Sequence, residues 1–233
     1  MNLNAQEELA GLQQMASSLG ARVFGVADLD FLKKQIPNLL AEVPGGDFSH
    51  ALVMGIRLEK AVFEGLTDRP TPLYFHHYRQ ANYQLDRLAF LVADRIQELG
   101  YRALAIPASQ IIATNPLRGH ISHKLLGWCA GIGFIGRSGL LVHPAYGAQV
   151  RYVSVLTDMP LPADTPSRGD CGTCRACVAV CPAHAIHETK DDFDLPACAR
   201  KLSEFAKLPF ISQHICGVCV KACHGKSNSQ TQT

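Results

Sequence analysis

Eight of the nine cysteines fall between Cys171 and Cys223, and their spacing points directly to metal chemistry. The first run consists of Cys171, Cys174, Cys177 and Cys181, followed by Pro182. This pattern, CxxCxxCxxxCP, is typical of bacterial 4Fe-4S proteins, in which the fourth cysteine ligates the other cluster. Three thiolates on one tight loop can cover three corners of a cubane, whereas the fourth is held away from it. The motif therefore predicts a second cluster.

The later cysteines supply the ligands that a second cluster needs, because two cubanes take eight thiolates and this segment contains eight. The cross-over rule assigns Cys171, Cys174, Cys177 and Cys223 to one cluster. It assigns Cys181, Cys198, Cys216 and Cys219 to the other. Zinc is the alternative, since CxxC pairs also bind it, but a tetrahedral zinc site normally takes four ligands as two pairs. Cys129 lies in an apolar stretch and is predicted to be a small buried hydrophobic residue.

Composition favours a globular protein with no obvious polyanionic partner. Hydrophobic residues make up 47% of the 233 residues, which is enough for a large domain with an appendage. The 22 basic and 20 acidic side chains leave a formal charge of +2, so the overall balance does not indicate nucleic acid or a membrane surface. Glu7 and Glu8 stand where a secretory signal would be basic, and no apolar run reaches membrane-spanning length. We expect a soluble, cytoplasmic protein whose thiols stay reduced.

Hydrophobic periodicity predicts an α+β organisation before the cysteines. An amphipathic helix is expected over 5–19, with Asn4 and Glu7 as a capping box, and a long helix is expected from Pro72 to Gly100. Strands of a mostly buried sheet are expected over 22–27 and 51–58, and further strands over 101–106, 140–143 and 150–157. A proline-rich stretch then predicts a linker, which gives domains at 1–164 and 165–225 and a disordered tail at 226–233.

Two further segments have the composition of a ligand site. The stretch that follows the strand at 101–106 has few regular signals up to about residue 119, and such loops often bind ligands. Residues 127–139 contain five glycines, whose missing side chains allow the backbone to approach something flat or bulky. The GIGFIG sequence within it has dinucleotide-binding spacing but lacks a following helix, so we interpret that match as chance.

Sequence elements in this order resemble the epoxyqueuosine reductases and the cores of reductive dehalogenases. The resemblance covers about residues 50–224 and is carried by the long helix, HKLLGWCAGIGFIGRSGLLV at 123–142, RYVSVLTDMPL at 151–161 and the eight cysteines. It implies a nitroreductase-like α/β core that binds cobalamin with its lower ligand off, followed by a ferredoxin-like module with two 4Fe-4S clusters. The corrin is expected between the core and the module.

Two departures from the family pattern affect the expected substrate. The family has an aspartate, taken as its proton donor, just after the strand that matches 101–106, whereas this chain has Pro107, Ala108 and Ser109 there. The helical-repeat domain that longer members use with transfer RNA is also expected to be absent. We therefore expect transfer RNA to be an unlikely substrate, and a small molecule or a corrinoid protein to be the substrate instead.

The resemblance also suggests candidate site residues. Possible proton donors are Tyr78, His76, His77, His120 and His123, of which Tyr78 and His120 are preferred. For any single histidine, an ordinary surface or core role is the alternative. Candidate corrin contacts are Ser109, Lys124, Gly133, Ile135, Gly136, Arg137 and Leu140. For Lys124, the alternative interpretation is an ordinary solvated residue on a helix.

The expected activity is that of a cobalamin- and iron-sulfur-dependent oxidoreductase, supplied with electrons by an external donor such as a flavodoxin or ferredoxin. Two other classes stay open. One is a protein that reduces or activates a corrinoid for another enzyme. The other is a ferredoxin-type electron carrier with no substrate of its own.

Overall fold

A computed structural model describes residues 3–114 and 117–225, without the side chains of Leu3, Asn4, Thr114 and Leu117. The Asn4 side chain of the expected capping box and the expected tail at 226–233 lie outside the described residues. The helices are α1 (Leu3–Ser18), α2 (Leu29–Gln35), α3 (Pro72–Glu98), α4 (His123–Cys129), α5 (Ala176–Val180), α6 (Leu195–Phe205) and α7 (Val218–Ala222), with a 3-10 turn at Lys60–Phe63. The strands are β1 (Val23–Asp28), β2 (His50–Arg57), β3 (Ala103–Ile106), β4 (Ala113–Thr114), β5 (Leu117–Arg118), β6 (Phe134–Ile135), β7 (Leu141–Val142) and β8 (Val150–Thr157).

The chain forms two compact units, each built from more than one segment. The first unit takes its described residues from Met1–Ile56, Ala81–Ile132 and Arg151–Arg168. The second takes them from Arg57–Gln80, Gly133–Val150 and the cysteine-rich segment that begins at Gly169. A division at residue 164 differs from this grouping, because 57–80 and 133–150 belong with the cysteines. Contacts between distant segments produce this grouping, and composition along the chain does not reveal them.

A four-stranded sheet in the order β1-β2-β8-β3 forms the base of the first unit. Strands β1 and β2 are antiparallel, with Val26 opposite Leu52, and β3 and β8 are antiparallel, with Ala105 opposite Val155. Both strand pairs come from apolar runs expected to form strands, and β8 has the expected bounds. The segment after β3 contains the short pair β4 and β5, which its sequence did not indicate.

One face of this sheet, which we call the α3 face, is covered by the two longest helices. Its core contains Val26, Leu52, Val153 and Val155, packed with Leu12 and Ala16 of α1 and with Leu85, Leu88 and Val92 of α3. The apolar positions of α3 recur every three to four residues, so they form a stripe that meets the sheet. Burial of such side chains stabilises the fold by roughly 1.5–3 kcal/mol each.

The opposite face, which we call the α4 face, carries Gly25, Tyr152 and Ser154, because successive strand side chains alternate between faces. Helix α4 and the residues after it approach the sheet closely here. A Cβ atom at Gly25 would lie 2.6 Å from the carbonyl oxygen of Ala130, so the strand has no room for a side chain at this position. This close approach brings α4 onto the sheet.

The second unit has short regular elements. Strands β6 and β7 pair with Ile135 opposite Leu141, and α5 packs against α7. Helix α6 begins after Asp194, whose side chain accepts a hydrogen bond of 2.8 Å from the backbone N–H of Ala197. These elements position the cysteines described below.

None of the described helices combines the length and the apolar character that crossing a membrane requires.

Candidate functional site

Helices α5, α6 and α7 and the loops before them place the eight clustered cysteines within the second unit. Cys177 lies on α5, Cys198 on α6 and Cys219 on α7, while Cys181 and Cys223 follow directly on α5 and α7. Cys171 and Cys174 occupy the loop before α5, and Cys216 precedes α7. All nine cysteines are free thiols.

The thiols of the second unit affect one another's ionisation in two overlapping sets. Burial raises the pKa of Cys177, and nearby Cys223, Cys171 and Cys174 raise it further. Burial likewise raises the pKa of Cys216 to about 11, with smaller contributions from Cys198 and Cys181. The pKa of Cys219 is raised by burial and then by Cys216, Cys198, Cys181 and Cys177. The two sets overlap, because Cys177 contributes to the pKa of Cys219 as well. The assignment of the eight cysteines to two clusters stays a prediction.

The raised pKa values show that these thiols need positive charge nearby before they ionise. A thiolate is the form that binds metal, and a buried cluster of thiols resists ionisation unless positive charge is nearby. The irons of a 4Fe-4S cluster provide that charge, so the donor set fits such a cluster. Across 3–114 and 117–225, no group of three or more His, Cys, Asp or Glu side chains is arranged to hold a metal ion.

Arg137, one of the candidate corrin contacts, anchors the first cysteine loop. Its guanidinium donates three hydrogen bonds to main-chain carbonyls: to Glu188 from Nε at 2.6 Å, to Cys174 from Nη1 at 3.0 Å and to Gly172 from Nη2 at 2.9 Å. The rigid, planar donor set of arginine suits such multiple contacts. Arg137 therefore ties the loop that carries Cys171 and Cys174 to the main chain at Glu188.

The glycines at 133 and 136 are required by packing inside the second unit. A Cβ atom at Gly133 would overlap the carbonyl oxygen of Val142. A Cβ atom at Gly136 would lie 2.8 Å from Cγ2 of Val142 and 3.2 Å from Sγ of Cys171. The expectation that these glycines admit a corrin edge is therefore not needed to explain them. Corrin contact at Gly133, Gly136, Ile135 and Leu140 stays a prediction.

A turn at residues 107–109 of the first unit is held by three side chains from three different elements. Asp86 on α3 accepts a hydrogen bond of 2.8 Å from the N–H of Ala108. Arg151 on β8 donates one of 3.0 Å to the carbonyl of Ala108, and His123 on α4 contacts the carbonyl of Pro107 at 3.0 Å. We call this arrangement the turn clamp.

His123 is locked in one tautomer by its two contacts. The Pro107 carbonyl can only accept, so Nε2 carries the proton, and Nδ1 accepts from the Ser154 hydroxyl at 2.8 Å. Burial lowers the pKa of His123 to about 4; the Pro107 hydrogen bond opposes this shift, and the charge of Arg151 reinforces it. His123 is thus neutral at pH 7 and serves to position the turn.

The remaining sequence-predicted candidates lie at separate places. Ser109 is exposed within the clamped turn, and Lys124 is exposed on α4. His120 lies in the first unit, with Nδ1 2.9 Å from the carbonyl of Glu42. Tyr78 is a half-buried residue in the part of α3 that belongs to the second unit, and its ring centroid lies 6.3 Å from that of Tyr74. Their catalytic and binding roles stay predictions.

Sequence reasoning missed Asn82 and the polar residues of β8. Arg151 donates a hydrogen bond of 3.1 Å to Asn82, and Asn82 and Ser154 are buried. The available signal was the presence of polar side chains inside apolar patterns: Arg151 and Ser154 interrupt the strand VRYVSVLT, and Asn82 interrupts the stripe of α3. Buried polar groups of this kind are normally hydrogen-bonded to one another.

The fold is similar to those of a reductive dehalogenase and of an epoxyqueuosine reductase of known structure. A reductive dehalogenase whose structure suggests a mechanism for B12-dependent dehalogenation superposes with a TM-score of 0.71 at 21% identity, over 91% of this chain and 30% of the dehalogenase. The epoxyqueuosine reductase from Streptococcus thermophilus superposes with a TM-score of 0.57 at 18% identity, over 96% of this chain and 66% of that enzyme. These likenesses establish the fold.

Sequence similarity identifies the more particular relatives. The chain is 33% identical over 112 residues to the epoxyqueuosine reductase of Synechococcus sp. (strain CC9605), a match that covers 48% of this chain and 32% of that enzyme. The matched region thus spans about a third of the length of this curated relative. No protein-family model matches the chain. The expected resemblance to epoxyqueuosine reductases and reductive dehalogenases is confirmed.

Proposed function

We propose that this protein is a cobalamin- and iron-sulfur-dependent reductase. The observation that carries the proposal is the location of the eight clustered cysteines in the second unit, on α5, α6 and α7 and in the segments that flank them. The fold likeness to a B12-dependent dehalogenase and the sequence similarity to epoxyqueuosine reductases support it. On this proposal the fold comprises a nitroreductase-like cobalamin-binding core and a ferredoxin-like module.

The residues of the chain divide the work of the proposed site. When bound, the clusters supply single electrons, and the cobalamin supplies a cobalt centre at which an activated bond is reduced. The eight thiols would hold the clusters, and Arg137 keeps the first loop in place through its three main-chain contacts. The turn clamp fixes the backbone at Ala108, which orients the neighbouring Ser109 as a candidate corrin contact.

Proton delivery is the part of the proposed reaction in which this chain differs from its relatives. The clamped turn has no acidic residue, and the Asp86 carboxylate that reaches it accepts the Ala108 N–H. His123 is neutral and engaged through both ring nitrogens, so it is a poor acid at pH 7. We propose His120 or Tyr78 as the donor, and a small molecule or a corrinoid protein, not transfer RNA, as the substrate. Electrons would come from a cytoplasmic flavodoxin or ferredoxin.

The lack of an acid in the turn also favours a second candidate, a protein that reduces or activates a corrinoid for another enzyme. Such a protein needs clusters and corrin contacts but no acid for a substrate. It would reduce a corrinoid protein without converting a small substrate. A plain electron carrier would instead carry clusters and bind no cobalamin.

Anaerobic reconstitution tests the proposal. The protein is expected to hold about eight iron and eight sulfide per chain and to bind added hydroxocobalamin, detected as a shift in its absorbance spectrum. Full cluster content without cobalamin binding would leave only the electron carrier. Queuosine formation in a strain that lacks its own reductase tests the substrate. Complementation there would show that the chain acts on transfer RNA, and its loss in His120→Gln or Tyr78→Phe would identify the donor.

A further inference from the structure

Phe210, in the second unit, combines two features that oppose folding. Its side chain is 82% exposed, more than any other large hydrophobic side chain in the part of the chain that the structure describes. Its backbone has a φ of +65°, a left-handed conformation in which the side chain of an L residue is crowded against the following carbonyl. Because neither feature stabilises the unit, the exposed ring calls for an explanation outside it.

A type II turn holds Phe210 in this conformation. The backbone N–H of Ile211 donates a hydrogen bond of 3.0 Å to the carbonyl of Leu208, which closes the turn. Pro209 fixes a negative φ at the second position, and the positive φ follows at the third, where glycine or asparagine is normally found. Ile211 is only 2% exposed and anchors the turn. The turn therefore presents the ring of Phe210 to solvent on a fixed backbone.

This turn lies between two of the cysteines that the cross-over rule assigns to one cluster. Cys198 is on α6, before the turn, and Cys216 follows it. Burial raises the pKa of Cys219, and Cys216 and Cys198 raise it further, so these thiols lie near one another. Phe210 is six residues from Cys216, and their Cα atoms are therefore at most about 20 Å apart. Electrons pass between protein centres only over short distances, so this turn is a suitable place for a redox partner to bind.

The charges before and after α6 differ in sign. The segment 188–194, which precedes the helix, contains four acidic residues and one lysine. After Glu204, which pairs with Lys201, no acidic residue occurs up to the end of the described residues, and Lys207 is exposed. Interfaces between electron-transfer partners are small, and complementary charge steers their encounter. The end of α6 near Phe210 therefore suits an acidic partner, which the segment 188–194 would repel.

We propose that Phe210 and Lys207 form the docking point for an acidic protein that donates single electrons to the clusters. This inference rests on the proposed function, because it requires the second unit to hold 4Fe-4S clusters. Phe210 supplies the apolar contact at the centre of a small interface, and Lys207 supplies the attraction that brings the partner to it. The strained turn keeps the aromatic ring outside the unit, where the partner can reach it.

Replacement of Phe210 by glycine removes the ring and keeps the turn, since glycine adopts a positive φ freely. Anaerobically reconstituted protein is mixed with the hydroquinone of a strongly acidic flavodoxin, and absorbance follows the reduction of the clusters. The flavodoxin concentration that gives half the maximal rate is expected to rise about 5- to 30-fold in F210G, the usual effect of truncating a central interface aromatic. In K207Q it should rise about 2- to 5-fold at low salt, and high salt should abolish this difference.

Three controls separate docking from a structural role. Dithionite, a small reductant, should reduce the clusters of every variant at the wild-type rate, and the iron content should not change. The thermal midpoint of F210G should equal or exceed that of wild type, since glycine relieves the strain at this position. Leu195→Ala is the matched variant, because Leu195 is 42% exposed at the acidic end of α6 and should leave the flavodoxin reaction unchanged.

Each contrary result overturns a distinct part of the argument. Equal half-saturation of wild type and F210G would refute the docking point, and so would an equal loss in L195A. A lower thermal midpoint of F210G would show that the ring is structural. Sedimentation of wild type as a dimer and of F210G as a monomer would assign the surface to a second copy of this chain. Clusters that dithionite reduces but flavodoxin does not would refute the docking inference alone, whereas the absence of clusters from wild type would refute the proposed function with it.

Discussion

Replacement of Gly136 by alanine is expected to disturb the first cysteine group. The new Cβ would lie 2.8 Å from Cγ2 of Val142 and 3.2 Å from Sγ of Cys171. Ordinary carbon contacts are about 3.5–4.0 Å, so Val142 must move by roughly 0.7–1.2 Å. Val142 is 6% exposed and β-branched, so it has little freedom to do so. The displacement therefore falls partly on Cys171.

The expected change in the free energy of unfolding of Gly136→Ala is the net result of two opposing effects. Overpacking of a well-packed site costs typically about 1–3 kcal/mol. A Gly-to-Ala change in unstrained backbone returns about 0.4–1 kcal/mol by restricting the unfolded chain. We therefore expect a net loss of about 1–2 kcal/mol and a reduced content of the cluster that Cys171 would serve.

The assay combines urea unfolding of anaerobic protein with iron and sulfide analysis. Gly65→Ala is the matched control in the same unit, since its Cβ would meet only Cγ2 of Thr71 at 3.6 Å. The control should keep its iron and its urea midpoint. If Gly136→Ala behaved like this control in both measurements, the packing argument at Gly136 would be refuted.

Three further predictions concern the ligand sets, the loop anchor and the pH response. Cys181→Ala should remove a different cluster from Cys174→Ala, as seen by electron paramagnetic resonance of the reduced proteins; loss of the same cluster would contradict the cross-over assignment. Arg137→Lys keeps the charge but not the three-way contact, so a chelator should strip iron from it faster than from wild type, and equal rates would count against the anchor. His123 has a folded pKa of about 4, below its unfolded value of 6.5. Its contribution to the free energy of unfolding is therefore present above pH 6.5 and is lost as pH falls towards 4. This loss amounts to at most about 3 kcal/mol, and urea midpoints of His123→Gln should fall less between pH 7.5 and 5.0 than those of wild type; parallel curves would refute the buried, neutral imidazole.

The features that the sequence determined by itself are those encoded over short distances. The run from Cys171 to Cys181 indicates 4Fe-4S ligands because its spacing places three thiolates on one loop. The apolar period of α3 and the apolar run of β8 likewise follow from neighbouring residues, and β8 occupies the expected residues 150–157. Short helices such as α2 and α4 were not specified in the same way, because a single turn or two has little periodicity to detect.

Only the tertiary structure decided which distant residues meet. The turn clamp joins Ala108 to Asp86, 22 residues away, and to Arg151, 43 residues away, so no local pattern contains it. Two other features also depend on contacts between residues that are distant in the chain. They are the close approach of Gly136 to Cys171 and the grouping of 57–80 and 133–150 with the cysteines. The buried Tyr152 hydroxyl, which has no hydrogen-bond partner among the described residues, is another such feature, because satisfaction of a buried group depends on everything packed around it. Spacing along a chain determines which side chains share a loop or a helix face, whereas strand register and helix packing determine which of them touch.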